Sequence, residues 1–124
     1  MTVVALARMV HYASGAAEAL EKDGIAIDLI DPRTTSPLDE DTILESVERT
    51  GRLVIVDEAT PRCSIATDIA ALVADKAFDA LKAPIRRVTA PHTPVPFAPG
   101  LEKLYIPSPD RIAAAVREVH GYAR

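Results

Sequence analysis

Charged side chains follow three of the apolar runs in this sequence, at positions where an open α/β sheet places its ligands. Arg8 follows the first run, Asp31 the second, and Asp57 with Glu58 the third. Because the carboxyl ends of parallel strands share one edge of a sheet, these groups are expected to lie close together. They predict an ion-pair network that ties the loops, with Arg8 in contact with Asp57 or Glu58. A small-anion site at the same edge, with Arg33 as a further cation, is the alternative.

Other reactive residue types give weaker signals. Cys63 precedes Ser64 at a predicted helix start, a position that can activate a thiol. No partner for a cysteine nucleophile is evident, so a packing role is expected. His11, His92 and His120 are too widely spaced to indicate a metal site, and surface or packing roles are expected for them.

The segment after the first apolar run does not encode a phosphate-binding loop. It reads RMVHYASGAAEAL, with one glycine at position 15 and no lysine. Neither the glycine spacing of a dinucleotide-binding turn nor a Walker lysine is present, so a nucleotide site is not expected. A phosphoacceptor receiver domain needs an acidic pair after its first strand, where this chain has Arg8 and Met9.

The elements that must position these residues alternate along the chain. Apolar runs bounded by turn residues predict strands at residues 2–7, 25–30, 53–56 and 85–89. Amphipathic spacing with caps and glycine stops predicts helices at residues 9–22, from Asp39 to Gly51, from Ser64 to Phe78, and after Ser108. Residues 90–109 contain six prolines and are expected to be extended and rigid.

Composition bounds the class of protein. A chain of 124 residues can bury enough apolar surface on folding to form one hydrophobic core. A net charge of −4 with scattered cations predicts no nucleic-acid partner. One cysteine allows no internal disulfide and favours a reducing, cytoplasmic setting. No apolar run approaches the roughly 20 residues that span a bilayer, so no membrane association is expected.

Three spaced segments carry a family resemblance. They read DLIDPRT followed by SPLD, RLVIVDEA followed by PRCSIATDIAALVADKAFD, and APIRRVTAPHTPVPFAPGLEKLYIPS. In this order they resemble the C-terminal transketolase-type domain of the beta subunit of thiamine-diphosphate-dependent 2-oxo acid dehydrogenases, from about Thr2 to Tyr122. The second segment is most similar to the acetoin dehydrogenase branch. The resemblance covers nearly the whole chain, so we expect one domain over residues 1–124.

The resemblance implies a fold and a role. The expected fold is a three-layer α/β/α domain with a mainly parallel four-stranded sheet in the order 2-1-3-4. Because TVVALA at the start suits a central strand, we expect a domain excised from a longer beta subunit. In that subunit a pyrimidine-binding domain comes first, and thiamine diphosphate with magnesium lies between it and the alpha subunit. This domain is therefore expected to bind no cofactor and to serve assembly in a pyruvate or acetoin dehydrogenase complex that transfers acyl groups to lipoyl groups.

Expected partners are the alpha subunit and a second beta subunit of a heterotetramer, and the subunit-binding domain of the acyltransferase component. The proline-rich segment holds two of the five aromatic residues and is predicted to form the subunit interface. The predicted interface residues are Pro94, Val95, Pro96, Phe97, Leu101 and Tyr105. We also expect the isolated chain to self-associate through this surface or through the strand edge at residues 25–30.

Docking of the acyltransferase component is assigned to Lys82, Arg86 and Arg87. Relatives commonly carry an aspartate where this chain has Lys82, so the local charge is reversed here, and a like charge can exclude a basic partner. The rival function is a free-standing domain that binds a small ligand or anion through Arg8, Asp31 and Glu58.

Overall fold

A four-stranded sheet forms the middle layer of the protein, in a computed structural model that describes residues 1–123. The strands are β1 (Thr2–Ala5), β2 (Asp28–Ile30), β3 (Leu53–Val56) and β4 (Arg86–Val88). They lie in the order β2-β1-β3-β4, with parallel pairings throughout. The predicted order is confirmed. The two central strands, β1 and β3, are buried along their whole length, as a strand covered on both faces must be.

Residues 1–123 form five α-helices, of which four cover the two faces of the sheet. The five helices are α1 (Met9–Lys22), α2 (Glu40–Thr50), α3 (Ile65–Lys76), α4 (Pro99–Tyr105) and α5 (Pro109–His120). Helices α1 and α5 share one hydrophobic core with one face of the sheet, and α2 and α3 share a second core with the other. This arrangement confirms the predicted three layers.

Short-range signals account for several helix ends. Asp39 accepts a hydrogen bond from the backbone N–H of Thr42 at 3.1 Å, and α2 starts at the next residue. The two hydrogen bonds from Thr42 lower the pKa of Asp39 below its ordinary value. Helix α2 ends at Thr50 and is followed by Gly51, which has a φ of +71°. Ser108 accepts from the N–H of Arg111 at 3.2 Å and caps α5. Ser64 precedes α3 without a capping bond from its side chain to the backbone.

Three predicted strands are longer than the observed ones. Strand β2 was expected at residues 25–30, but the N–H of Ile25 donates to the carbonyl of Leu20 at 2.9 Å and closes α1 instead of joining the sheet. Strand β1 ends at Ala5 because the left-handed Ala7 turns the chain toward α1. At the opposite edge, β4 comprises only Arg86–Val88.

Two further expectations were wrong beyond the strands. Phe78 was placed on the buried stripe of the third helix, but α3 ends at Lys76 and Phe78 lies in a short 3-10 turn, 63% exposed. Residues 90–109 were expected to be extended throughout, but they contain α4. Pro99 is the first residue of α4, where its missing N–H leaves no hydrogen bond unmade, so proline content alone did not exclude a helix.

Candidate functional site at the carboxyl end of the sheet

The chain leaves the two central strands in opposite directions. Helix α1 follows β1 on one face of the sheet, and α3 follows β3 on the other. Diverging connections of this kind open a crevice at the carboxyl ends of two adjacent strands, where ligands of open α/β sheets bind. A cavity of about 390 Å³ lies at this point. Its lining comes from the residues that follow β1, β2 and β3 and from the first residue of α3.

Asp57 is the buried acid of this crevice, with 6% of its surface exposed. Its Oδ1 atom accepts a hydrogen bond from the backbone N–H of Ala59 at 3.0 Å. Its Oδ2 atom is buried and accepts no hydrogen bond from any group in residues 1–123. A buried carboxylate oxygen without a donor is costly, because the water that it lost is not replaced.

Three non-glycine residues near the crevice have a left-handed backbone. They are Ala7 after β1, Arg33 after β2 and Cys63 before α3, with φ values of +49°, +62° and +49°. A side chain disfavours this conformation, and strain of this kind concentrates at functional sites. Cys63 is exposed, so its expected packing role is wrong.

The predicted ion-pair network does not form among residues 1–123. Arg8 donates from Nη2 to the hydroxyl of Tyr12 at 2.9 Å and lies over the Tyr12 ring, 5.4 Å from its centroid. Arg8 immediately precedes α1, and its side chain lies along the first turn of that helix and not against the loop after β3. Asp31 pairs instead with its near neighbour Arg33, with Nε and Oδ2 3.0 Å apart. No ion pair of Asp57 or Glu58 is found in the described chain.

The proline-rich segment presents apolar side chains to solvent. Exposed fractions are 101% for Phe97, 79% for Leu104, 68% for Val95 and 58% for Leu101. We call these four residues the outer apolar surface. Leu104 was not predicted, and its three-residue spacing from Leu101 was the helical signal that could have revealed it.

Tyr105 was predicted to be part of the same surface, but it is buried. Only 8% of it is exposed, and its hydroxyl donates to the carbonyl of Thr93 at 3.4 Å. Tyr105 therefore joins the end of α4 to the earlier part of the same proline-rich segment.

Sequence comparison decides the family. The profile described as transketolase, C-terminal domain, matches residues 1–112. The chain belongs to this family. It is 58% identical over 121 residues to the beta subunit of acetoin:2,6-dichlorophenolindophenol oxidoreductase from Bacillus subtilis, with 98% of this chain and 35% of that protein covered. The corresponding subunit from Cupriavidus necator is 62% identical over 118 residues, covering 95% and 35%.

Other relatives are more distant. The pyruvate dehydrogenase E1 component subunit beta of Bacillus subtilis is 41% identical over 119 residues, covering 96% of this chain and 36% of that protein. A solved structure titled a split gene transketolase, inactive beta4 tetramer, matches with a TM-score of 0.83 at 26% identity, covering 99% and 39%. This transketolase C-terminal domain therefore spans about a third of the length of the relatives that it matches. The resemblance stated from the sequence is confirmed.

The three residues assigned to docking differ in their contacts. Arg86 of this transketolase C-terminal domain pairs with Glu118, with Nε and Oε1 3.0 Å apart. Arg87 donates to the carbonyl of Pro61 at 2.7 Å and to the hydroxyl of Thr67 at 2.8 Å, and so joins β4 to the start of α3. Lys82 is exposed and has no ion pair within residues 1–123. Lys82 is thus the one member of the three whose charge is not already used inside the described part of the domain.

Two kinds of site find no support in the described residues. The histidines, cysteine and acids of residues 1–123 form no group of three or more that could hold a metal ion. None of the helices there is long and apolar enough to cross a membrane.

Proposed function

We propose that this chain is the C-terminal assembly domain of the beta subunit of an acetoin or pyruvate dehydrogenase. The observation that carries the proposal is the identity of 58% and 62% to two acetoin oxidoreductase beta subunits, across at least 95% of this chain. Identity to a pyruvate dehydrogenase beta subunit is 41%, which favours the acetoin branch.

The chemistry belongs to the whole assembly. In the family that this sequence resembles, thiamine diphosphate and magnesium lie between the alpha subunit and the pyrimidine-binding domain, and the acyl group passes to a lipoyl group. Our assignment gives this domain no cofactor contact and no catalytic residue. Its partners are the alpha subunit and a second beta subunit, in the cytoplasm.

The outer apolar surface is the proposed subunit interface. Phe97 and Leu104 have more than three quarters of their surface in water, and burying such side chains against a partner is favourable by about 25 cal/mol per Å² of apolar area. Pro94 and Pro96 restrict the backbone beside Phe97, so little conformational entropy is lost on association. Exposed apolar clusters of this kind mark interaction surfaces.

In this proposal, the charge of Lys82 determines which subunit-binding domain of an acyltransferase component can dock. Lys82 is exposed and has no ion-pair partner in the described chain. The family resemblance implies an aspartate at this position. We therefore expect Lys82 to weaken contact with a basic subunit-binding domain and to favour an acidic one.

A chimera tests the assembly role. The chain replaces the matching third of the Bacillus subtilis acetoin beta subunit, which is produced together with its alpha subunit. We expect a stable complex that reduces dichlorophenolindophenol with acetoin. Assembly is measured by sedimentation and activity by dye reduction. Failure of the chimera to bind the alpha subunit, with the chimera folded, would contradict the proposal.

The two phenylalanines of the chain supply a matched control. Phe97→Ser in the chimera should weaken assembly at least tenfold, because it removes the most exposed apolar side chain of the proposed interface. Phe78→Ser changes a side chain that is also exposed, at 63%, but lies outside the surface, and should leave assembly unchanged. Equal effects of the two substitutions would show that the outer apolar surface is not the interface.

A further inference from the structure

The buried acid of the crevice points to a ligand that the assembly role does not require. We propose that the crevice between β1 and β3 binds a small amphipathic molecule with a primary ammonium group, which donates hydrogen bonds to Asp57. This inference is independent of the proposed function, because the crevice and the outer apolar surface have no residue in common and the inference is tested on this chain alone.

Charge decides the ligand class. Asp57 has no ion-pair partner in residues 1–123, and Arg33, the one cationic residue of the lining, is already paired with Asp31. The lining thus has one carboxylate in excess. The sequence alone allowed an anion site here, with Arg8 as its cation, but Arg8 is turned toward Tyr12 and does not line this cavity. A cation, not an anion, compensates the charge that remains.

Hydrogen bonding selects an ammonium group among cations. Oδ2 of Asp57 is buried without a donor, and an ammonium group brings three donors on one atom. Asp57 lines the cavity and the terminal torsion of an aspartate is broad, so we expect the carboxylate to rotate and present Oδ2 to a bound ammonium group. The described residues offer no set of three metal-ligating side chains, so a multivalent metal ion has no site here.

The other lining residues and the volume of the cavity limit the chemical nature and the size of the rest of the ligand. Leu6, Pro32 and Ile65 supply apolar wall, which suits a short aliphatic body. The volume of about 390 Å³ lies near the lower end of the range of ligand pockets, so the crevice holds a small molecule and not a nucleotide. The location at the point where the strand connections diverge is the usual ligand position in open α/β sheets.

Three probes with the same isobutyl body test the charge preference: isobutylammonium, isobutanol and 3-methylbutanoate. Each is titrated into the chain at neutral pH, and binding is followed by amide NMR shifts. We expect saturable shifts of the Ala7, Asp57 and Ile65 amides with isobutylammonium, and binding at least about tenfold weaker for the other two. Equal binding of the carboxylate, or ammonium shifts that scatter over other acidic residues, would overturn the proposal.

Two aspartate variants locate the contact. Asp57→Asn should weaken isobutylammonium binding by about tenfold or more, because the charge is removed and the shape kept. Asp75→Asn makes the same change at an exposed position on α3 outside the cavity and should leave binding unchanged. Unaltered affinity in Asp57→Asn would reject the assignment. If that variant does not fold, the three-probe series on the unsubstituted chain decides alone.

Discussion

The two ends of the sheet differ in how completely their groups are satisfied. At the amino end, the hydroxyl of Thr2 contacts those of Ser46 and Thr50 at 2.7 and 2.8 Å. Ser46 and Arg49 both donate to Asp28. At the carboxyl end, Asp57 keeps an oxygen without a donor in the described chain. One end is therefore complete within the domain, whereas the other is not.

The backbone conformation also differs between the amino and carboxyl ends of the sheet. The left-handed residues before β2 and β3 are Gly24 and Gly51, which adopt that conformation without strain. Those at the carboxyl end are Ala7, Arg33 and Cys63, each with a side chain that disfavours it. The contrast indicates that the amino end serves stability. Strain and an unmet hydrogen bond are retained at the end where parallel sheets bind ligands.

Breaking the amino-end network should have the largest effect. Ser46→Ala removes the hydroxyl that links Thr2 to Asp28, and Ser46 is 3% exposed. We expect the free energy of unfolding to fall by about 2 kcal/mol, because buried groups lose partners. Urea denaturation measures it. Ser14→Ala, at an exposed position on α1, is the control, and a loss no greater than in the control would mean that the network contributes nothing.

Substitutions at two residues with positive φ, one at each end of the sheet, test the difference in backbone strain. Gly51→Ala should cost about 1–2 kcal/mol, because the new Cβ meets a positive φ. That Cβ would also lie 2.7 Å from Cδ of Lys82 and 3.1 Å from the carbonyl oxygen of Ala80. Ala7→Gly should cause no loss, because relief of strain offsets the added freedom of the unfolded chain. Thermal unfolding distinguishes the two, and a clear loss in Ala7→Gly would show that Ala7 is not strained.

Replacing one aspartate by asparagine at each end of the sheet tests whether the two carboxylates contribute differently to stability. Asp28→Asn should lower the free energy of unfolding by about 1 kcal/mol, since Arg49 and Ser46 lose a charged acceptor that is partly exposed. Asp57→Asn should not lower it, because the amide oxygen still accepts from Ala59 and a buried charge is removed. Chemical denaturation of both variants checks this. Equal losses would contradict the proposed difference between the two ends.

The smallest expected change in stability is at the outer apolar surface. Phe97→Ser should alter the free energy of unfolding by less than about 0.5 kcal/mol, because Phe97 is fully exposed. The same substitution should reduce self-association of the chain in sedimentation at high concentration, with Phe78→Ser as control. If the unsubstituted chain is strictly monomeric at millimolar concentration, the predicted self-association is wrong.

Much of the fold was predictable because its signals are local or carried by long matching segments. Asp39, Gly51 and Ser108 mark helix ends through their own hydrogen bonds or φ values, and the structure confirms all three. The apolar run at residues 53–56 matched β3 residue for residue. The strand order came from the family resemblance, which the sequence match over residues 1–112 supports.

The candidate site was less predictable, because it depends on which way each side chain leaves its strand. The sequence placed Arg8 and Asp57 at the same edge of the sheet correctly. It did not reveal that the Arg8 side chain turns to Tyr12 on α1 and so lies away from the loop after β3. An unpartnered oxygen on Asp57 is a relation between loops distant in sequence, and no local pattern encodes it.

The sequence by itself determined the family, the alternation of strands and helices, and the caps, because each depends on neighbouring residues or on long matching segments. Only the tertiary structure decided that Tyr105 is buried while Phe97 is fully exposed, although both lie in one proline-rich segment. The physical reason is that α4 brings the Tyr105 hydroxyl back to the carbonyl of Thr93 while Phe97 contacts only solvent, and such burial depends on what packs against a side chain in the folded protein.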